Sequence, residues 1–170
     1  VDKFKFAIDT ENPTQTTLLK AIDTQESDCV IIGKDAFGDS MHIKLARKAP
    51  CSVMSVPSNP PKMLSKLMLA NDFSQYAKEA LDLAIQIAHS KHLPSIDSVH
   101  VYCLAPGHDR ITIPEETQIA IAEDFAVQHH QEHLEQCDAQ GIQINTYNYF
   151  NTHTTRTLLN AADTLESDLI

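Results

Sequence analysis

Three side chains that can bind metal ions recur at helical spacing in the second half of the chain. His129, His133 and Cys137 stand at i, i+4 and i+8, so a helix would place them in one row. Imidazole and thiolate are preferred zinc ligands, but three ligands on one straight helix cannot complete a tetrahedron, and the sequence places no fourth. The alternative is a half-exposed helix face with Cys137 turned toward the core. We predict no metal, and keep a His/Cys metal sensor as a hypothesis that metal analysis would test.

The motifs of common hydrolases do not occur in the sequence. It has no G-x-S-x-G elbow, no H-E-x-x-H pair and no Walker A loop. Ser52 and Ser55 lie in a predicted strand with no identifiable base. The acidic pair Glu115 and Glu116 is accounted for by helix polarity. We therefore predict a protein that is not an enzyme.

Charge and composition narrow the class of protein further. A net charge of −10 argues against binding to nucleic acid or to an anionic membrane, since either would require Lys and Arg. The four cysteines, at positions 29, 51, 103 and 137, form no CxxC pair and are expected to be free thiols. No apolar run approaches the ~18 residues of a membrane span. These features predict a cytoplasmic protein.

The elements that position these residues are organised by an internal repeat. The segment TLLKAIDTQESD at 17–28 returns as TLLNAADTLESD at 157–168, with nine of twelve positions identical and an offset of 140. A period this long indicates two copies of one fold, a tandem repeat rather than a solenoid. The first copy lies near the start of the chain and the second at its end, which suggests a window cut from a longer tandem.

The hydrophobic pattern predicts alternating strands and helices. Before the linker at 58–61, strands are expected at 4–8, 29–32 and 51–56, with helices at 16–24 and 41–48. After it, strands are expected at 66–70, 97–104 and 143–150, with helices following Asp72 and running from Glu115 to about residue 139. The β-branched run CVII at 29–32 is typical of a strand covered on both faces. This order indicates an α/β fold with parallel crossovers.

Three stretches give the chain a resemblance to the universal stress protein family. SKLMLANDFSQYAKEALDLAIQIA at 65–88 resembles the family's first strand, its "DFS" turn and its first helix. ESDCVIIG at 26–33 resembles the fourth strand, and ARKAPCSVMSVP at 46–57 the final helix-to-strand passage. The resemblance implies a parallel five-stranded sheet flanked by helices, Rossmann-like and of the adenine nucleotide alpha hydrolase type.

The resemblance also implies a domain arrangement. Residues 1–57 correspond to the C-terminal half of a first universal stress protein domain, and residues 62–170 to the N-terminal part of a second. Strands four and five of the first copy and one to three of the second make one full set. We therefore hypothesise a composite sheet of two half-domains, formed within one chain or between two chains in a homodimer that associates through sheet edges.

Some members of the family bind ATP through a glycine pattern, G-x2-G-x9-G-[S/T], after the fourth strand. Small residues let backbone N–H groups approach the phosphates. In this chain Gly33 is in place, Gly38 follows five residues later rather than three, and the third glycine is missing. Asp35 and Asp39 would oppose a polyphosphate. The alternative is that both glycines serve a tight turn.

By resemblance, Asp72, Val101 and Tyr102 correspond to positions that face adenine and ribose in nucleotide-binding members. The alternatives are a helix N-cap for Asp72 and core packing for Val101. The prediction is a non-enzymatic interaction and signalling module of the stress response, with a degenerate nucleotide site and no cofactor. The alternative function is an ATP- or AMP-binding switch that uses a glycine loop of the second domain beyond Ile170.

Overall fold

The computed structural model describes residues 15–34, 40–110 and 112–170. Helices and strands alternate along the chain as a parallel α/β fold requires. In order, the elements are α1 (Gln15–Thr24), β1 (Cys29–Gly33), α2 (Met41–Ala46), β2 (Ser52–Val56), β3 (Met68–Ala70), α3 (Gln75–Lys91), β4 (Ser95–Tyr102), a 3₁₀ turn (His108–Arg110), α4 (Glu115–Glu135), β5 (Gln143–Phe150) and α5 (Thr154–Thr164).

The chain forms two compact units that divide between Pro60 and Pro61. In the first unit, β1 and β2 pair in parallel, with Cys29 beside Ser52 and Gly33 beside Val56. The described part of its core contains three buried aliphatic side chains from α1, β1 and α2, namely Ile22, Ile32 and Leu45. Ile31 points to the opposite face of β1 and is 69% exposed. Among the described elements, α1 and α2 pack on the face of β1 that carries Ile32, and coverage of both faces of this strand stays a prediction.

In the second unit, β3, β4 and β5 form a parallel sheet in that order. An isolated parallel bridge joins Leu67 to Leu169 on the free side of β3. The chain thus moves from β3 outward through β4 to β5, and then returns across β3. The direction of winding reverses between β3 and Leu169, which is the topological switch point of a doubly wound sheet.

Each face of this sheet has its own apolar cluster. Leu67, Leu69 and Ile96 pack with the buried side chains of α3, and residues from the end of α4 extend this cluster. On the other face, Met68 and Val99 pack against Ala161 and Ala162 of α5. Helices α3 and α4 therefore cover one face and α5 the other. The longer part of α4 also covers Ser98, which lies on the α3/α4 face of β4 and is fully buried.

The predicted α/β class, with parallel sheets flanked by helices, is confirmed. The five described strands, however, are divided between a two-stranded and a three-stranded sheet rather than joined in one. The composite sheet of two half-domains, within one chain or between two, stays a prediction. The strand predicted at 4–8 lies outside the described residues. In the described ranges, no helix has both the length and the apolar character needed to cross a membrane.

Candidate functional site

A cleft of about 560 Å³ opens beside the carboxyl end of β4, on the face covered by α3 and α4. The turn after β3, the end of β4, the following loop and α4 contribute to it. It is lined by Phe73, His100, Tyr102, Cys103, Leu104, Ala105, His108, Ile113, Gln118, Ile121, Ala122, Phe125, Ala126 and His129. Open parallel sheets bind their ligands at the carboxyl ends of the strands, so this is the candidate functional site.

The turn between β3 and α3 is held by side-chain caps. Asn71 is buried and its Oδ1 accepts from the backbone N–H of Phe73 at 2.9 Å. Asp72 Oδ1 accepts from the N–H of Ser74 at 3.0 Å, and Ser74 Oγ accepts from the N–H of Ala77 at 3.2 Å as the N-cap of α3. Hydrogen bonds from Ser74, its side chain first and then its backbone, lower the pKa of Asp72.

Phe73 sits in this turn with a φ of 63°, in the left-handed region that non-glycine residues rarely adopt. Its ring lies among four imidazoles. The ring centroid is 4.2 Å from that of His100 and 5.3 Å from that of His130, with His133 at 5.8 Å and His129 at 6.2 Å. Such an outlier is maintained only where its surroundings fix it, and clusters of this kind are typical of functional sites.

Beneath Phe73, a chain of hydrogen bonds runs through the buried part of the unit. Ser98 Oγ lies 2.7 Å from His130 Nε2, and His130 Nδ1 lies 3.0 Å from Asn148 Oδ1. Because an amide oxygen only accepts, Nδ1 carries the proton and Nε2 accepts from the Ser98 hydroxyl. Asn71 Nδ2 donates to the same Ser98 oxygen at 3.2 Å. Every polar group in this chain is therefore satisfied when His130 is neutral.

This connectivity is that of a nucleophile, a base and an orienting group. Ser98 and His130 are nevertheless only 0% and 1% exposed, so no substrate can reach the hydroxyl in this conformation. Burial lowers the pKa of His130, as it does that of His133, whose buried Nε2 has no hydrogen-bond partner in the described part of the chain. The network is a structural core element that also supports the wall of the cleft.

The predicted nucleotide-binding residues do not line one common site among the described residues. Tyr102 lines the cleft, while Val101 is half-buried and, by strand alternation, faces the α5 side of the sheet. Asp72 is exposed at the end of β3 and is not the N-cap itself, because Ser74 takes that role. Gly33 ends β1 in the first unit, and Gly38 lies outside the described residues. The nucleotide role of these five residues stays a prediction.

The predicted metal candidates lie on α4 but point to different surroundings. His129 is exposed at the cleft, His133 is buried, and the Cys137 thiol donates to the backbone carbonyl of His133 at 3.5 Å. Within the described ranges, no group of three or more His, Cys, Asp or Glu side chains is arranged to hold a metal ion. All four cysteines are free.

The sequence reasoning missed the Ser98, His130 and Asn148 network. The available signal was a pair of polar residues at alternate positions, Ser98 and His100, in a strand whose neighbours Ile96 and Val99 are fully buried. A polar side chain at a core position of a strand has to find a partner. That rule predicts a buried polar network, although it does not name the partner.

A solved structure of a protein from the universal stress protein family of Burkholderia pseudomallei is similar to this chain. The TM-score is 0.49 and the sequence identity 20%, over 64% of this chain and 80% of that one. No protein-family model matches the chain, and no curated protein does. The fold assignment made above rests on the strand order and the helix layers themselves.

Proposed function

We propose that this chain is a universal stress protein-type module that acts in the cytoplasm by binding rather than by catalysis, as a signalling component of the stress response. The observation that carries the proposal is the switch point between β3 and Leu169. A doubly wound sheet with this reversal has its binding region at the carboxyl ends of its strands. The sequence stretches that resemble the family supply β1, β2, β3 and α3.

The buried network supports binding over catalysis. Ser98 and His130 form the closest arrangement to a nucleophile and its base among the residues described above, and both are closed to solvent. A general base has to reach the proton it removes from a bound substrate. In this conformation His130 is already occupied on both ring nitrogens.

Sheet edges support self-association. In the three-stranded sheet β5 pairs with β4 on one side only, as far as the described residues show. Unpaired backbone groups on an edge strand can pair with a second chain. We therefore propose a homodimer formed through such an edge, with a further protein partner receiving the signal.

Native mass spectrometry of the purified chain at micromolar concentration tests the dimer. We expect a dimer that is lost in Thr146→Lys, which places a charge at an exposed position of β5, and is kept in Thr117→Lys, at an exposed position of α4. A monomeric wild-type protein, or equal behaviour of the two variants, would contradict the β5 interface.

A second candidate function is an adenine-nucleotide switch, which the position of Asp72 favours. Its carboxylate is exposed beside the switch point, and its lowered pKa keeps it ionised and able to accept ribose hydroxyls. The same spectra recorded with ATP and Mg²⁺ distinguish the two functions. A nucleotide adduct lost in Asp72→Ala but kept in Asp82→Ala would establish the switch, whereas no adduct would remove it.

A further inference from the structure

The cleft beside β4 and the switch point are two separate places in the second unit. The bridge between Leu67 and Leu169 lies on the free side of β3, whereas the cleft follows β4 and α4 on the other side and reaches the turn after β3 through Phe73. Asp72 and Val101, two of the residues predicted to contact a nucleotide, do not line the cleft. A ligand of the cleft therefore need not resemble a nucleotide, and the chemistry of the lining has to define it.

Among the residues that the structure describes, the lining carries no Asp, Glu, Lys or Arg side chain. A phosphate or carboxylate ligand would find no cation in the lining and would lose its hydration without compensation. The carboxylates of Glu123 and Asp72 interact with Tyr102 and His100 from outside the lining, so they would repel such an anion further, and an ammonium ligand would have no carboxylate in the lining itself to contact. The net charge of −10 adds repulsion against anions. The size of about 560 Å³ lies within the range of small-molecule sites. The ligand that fits this surface is uncharged and of small-molecule size.

Several aromatic rings line the cleft. The rings of Phe73 and His100 are 4.2 Å apart between centroids, and those of His100 and Tyr102 are nearly parallel, at 10°, with a separation of 6.5 Å. Phe125 faces His129 across 6.2 Å and is 57% exposed. Such surfaces favour aromatic ligands, which gain offset or edge contacts beyond simple burial.

Two imidazoles in the lining have their tautomers fixed by the backbone. His100 Nδ1 lies 2.7 Å from the carbonyl oxygen of Asn71, and His108 Nδ1 lies 3.2 Å from that of Ala105. A carbonyl oxygen only accepts, so each Nδ1 carries the proton and each neutral ring keeps Nε2 as an acceptor. The cleft therefore offers acceptors to a ligand that carries a hydroxyl or N–H group.

Two described lining residues between β4 and α4, His108 and Ile113, are hydrogen-bonded to α4. Gln118 Nε2 donates to the carbonyl oxygens of both His108, at 3.2 Å, and Ile113, at 2.7 Å. These bonds hold His108 and Ile113 in place without a ligand, as in binding sites that are formed in advance. Ile113 and Ile121 in the lining remain 44% exposed, and a ligand would cover part of this apolar surface.

We propose that this cleft is a binding site for an uncharged aromatic molecule that carries one hydrogen-bond donor, of the phenol, indole or arylamine class. The inference rests on the proposal that the second unit acts by binding. The aromatic rings of the lining would contact the ring faces of the ligand, and the Nε2 atoms of His100 and His108 would accept its donor.

The probe for the test is N-phenyl-1-naphthylamine, which is uncharged, has two aromatic parts and one N–H, and fluoresces in apolar surroundings. We expect saturable binding to the full chain. Ala122→Phe fills the cleft and should weaken binding by about tenfold or more. Ala120→Phe, at an exposed position of the same helix outside the lining, should bind like the wild type.

Cys103 gives an independent readout, because its exposed thiol lines the cleft while the exposed Cys29 lies in the other unit. The probe should slow alkylation of Cys103 and leave that of Cys29 unchanged, as quantified by peptide mass spectrometry. Phenol and indole should displace the probe, whereas benzoate and ATP should not.

Several results would overturn the inference. These are an absence of saturable binding, equal binding by the two phenylalanine variants, unprotected Cys103, or displacement by benzoate or ATP as effective as that by phenol. Protection of Cys103 that rises with protein concentration in the absence of probe would assign the cleft to a second copy of the chain instead. A monomer in the native mass spectra would contradict the proposed dimer and leave the probe result standing.

Discussion

The turns that end α1 and α5 differ in sequence only at the C-cap, Gln25 in the first copy and Leu165 in the second, and have the same hydrogen bonds. In the first copy, Ser27 N–H donates to the carbonyl of Ile22 at 3.1 Å, and in the second, Ser167 donates to Ala162 at 2.8 Å. Glu26 and Glu166 occupy the left-handed region with φ values of 47° and 55°. Both are Schellman turns, in which the residue after the C-cap takes this conformation. The local sequence is thus sufficient to define the turn.

At Asp28 and Asp168, two residues after these glutamates, the side-chain contacts of the two repeats differ. The Asp168 carboxylate accepts from Ser65 N and Ser65 Oγ, both at 2.7 Å, and from Lys66 N at 2.9 Å, which ties the end of the second repeat to the start of β3. Asp28 has no side-chain partner among the described residues of its unit. The same aspartate is therefore a tertiary anchor in one copy only, because its partners come from a distant strand that the first unit does not contain among its described elements.

The buried positions of the repeat differ as well. Ile22 packs with Ile32 and Leu45 in the described part of the first core, whereas its counterpart Ala162 packs under a three-stranded sheet against Met68 and Val99. The second unit also holds four buried polar residues, Asn71, Ser98, His130 and His133. The three-stranded sheet can enclose a polar network on one face. On its other face, small side chains such as Ala162 of α5 are enough to fill the space against the sheet. Substitutions at matched positions test this difference.

The largest effect on stability is expected from Ile22→Ala, which gives the first repeat the residue that the second repeat has at position 162. Removing this buried side chain from its core should destabilise the first unit by about 2–5 kcal/mol. Hydrogen exchange of peptides from 15–56 in the full chain measures it. Ile31→Ala, at a 69% exposed position of the same unit, should change little. Equal effects of the two variants would show that Ile22 is not a core residue.

The reverse change, Ala162→Ile, should overpack the interface of α5 with β3 and β4. We expect a loss of about 1–3 kcal/mol in the second unit, measured by denaturant unfolding followed with the same exchange method. Asn160→Ile, on an exposed face of α5, is the matched control. A neutral or stabilising result at position 162 would mean that the second unit has room for the larger side chain and that the size argument is wrong.

The pH dependence should differ between the units because of His130. Its folded pKa lies below the ordinary 6.5, mainly through burial, so the unfolded state takes up protons first as the pH falls. The stability that neutral His130 contributes above pH 6.5 is lost as the pH falls toward its folded pKa. His130→Gln should flatten this dependence in the second unit. His129→Gln, at the exposed neighbouring position, should leave this dependence unchanged. Equal slopes of stability against pH in the two variants would contradict the role given to His130.

Asp168→Asn should lower the unfolding midpoint of the second unit more than Asp28→Asn lowers that of the first. Hydrogen bonds from Ser65, its side chain first, hold the pKa of Asp168 below its usual 3.8. Its contribution is therefore present above pH 3.8 and lost as the pH falls through the folded pKa. Thermal unfolding at pH 7 and at pH 3 measures both variants. Equal midpoint shifts would remove the difference between the two aspartates.

The smallest effect on stability is expected at Glu26 and Glu166, the left-handed turn residues that the two repeats share. Glu26→Gly should stabilise the first unit by about 0.5–1 kcal/mol, because glycine adopts the left-handed conformation without steric cost. Glu166→Gly should gain less, since it also removes the 2.6 Å ion pair with Lys66. Ala at either position should be worse than Gly. If the Ala and Gly variants have the same thermal unfolding midpoint, the left-handed backbone conformation does not limit stability at that position.

The sequence by itself determined the elements whose signal is local. The strand at 143–150 was predicted with its observed bounds, and α1, β1 and β2 within a residue or so, because hydrophobic spacing and turn residues act over a few positions. The helix from Glu115 ends at Glu135, four residues short of the prediction, since no glycine is needed where the helix ends in a short turn. The α/β class followed from the order of these elements.

The tertiary structure alone decided which residues share a site. Ser98 meets His130 across 32 positions and His130 meets Asn148 across 18, and no local pattern specifies either pairing. The division of the five described strands into two sheets is likewise set by packing. Which hydrogen-bond partners meet depends on how the helices and strands pack in the whole fold. For this reason Asp168 of the second repeat hydrogen-bonds to the start of β3, whereas Asp28 of the first repeat has no such partner among the described residues.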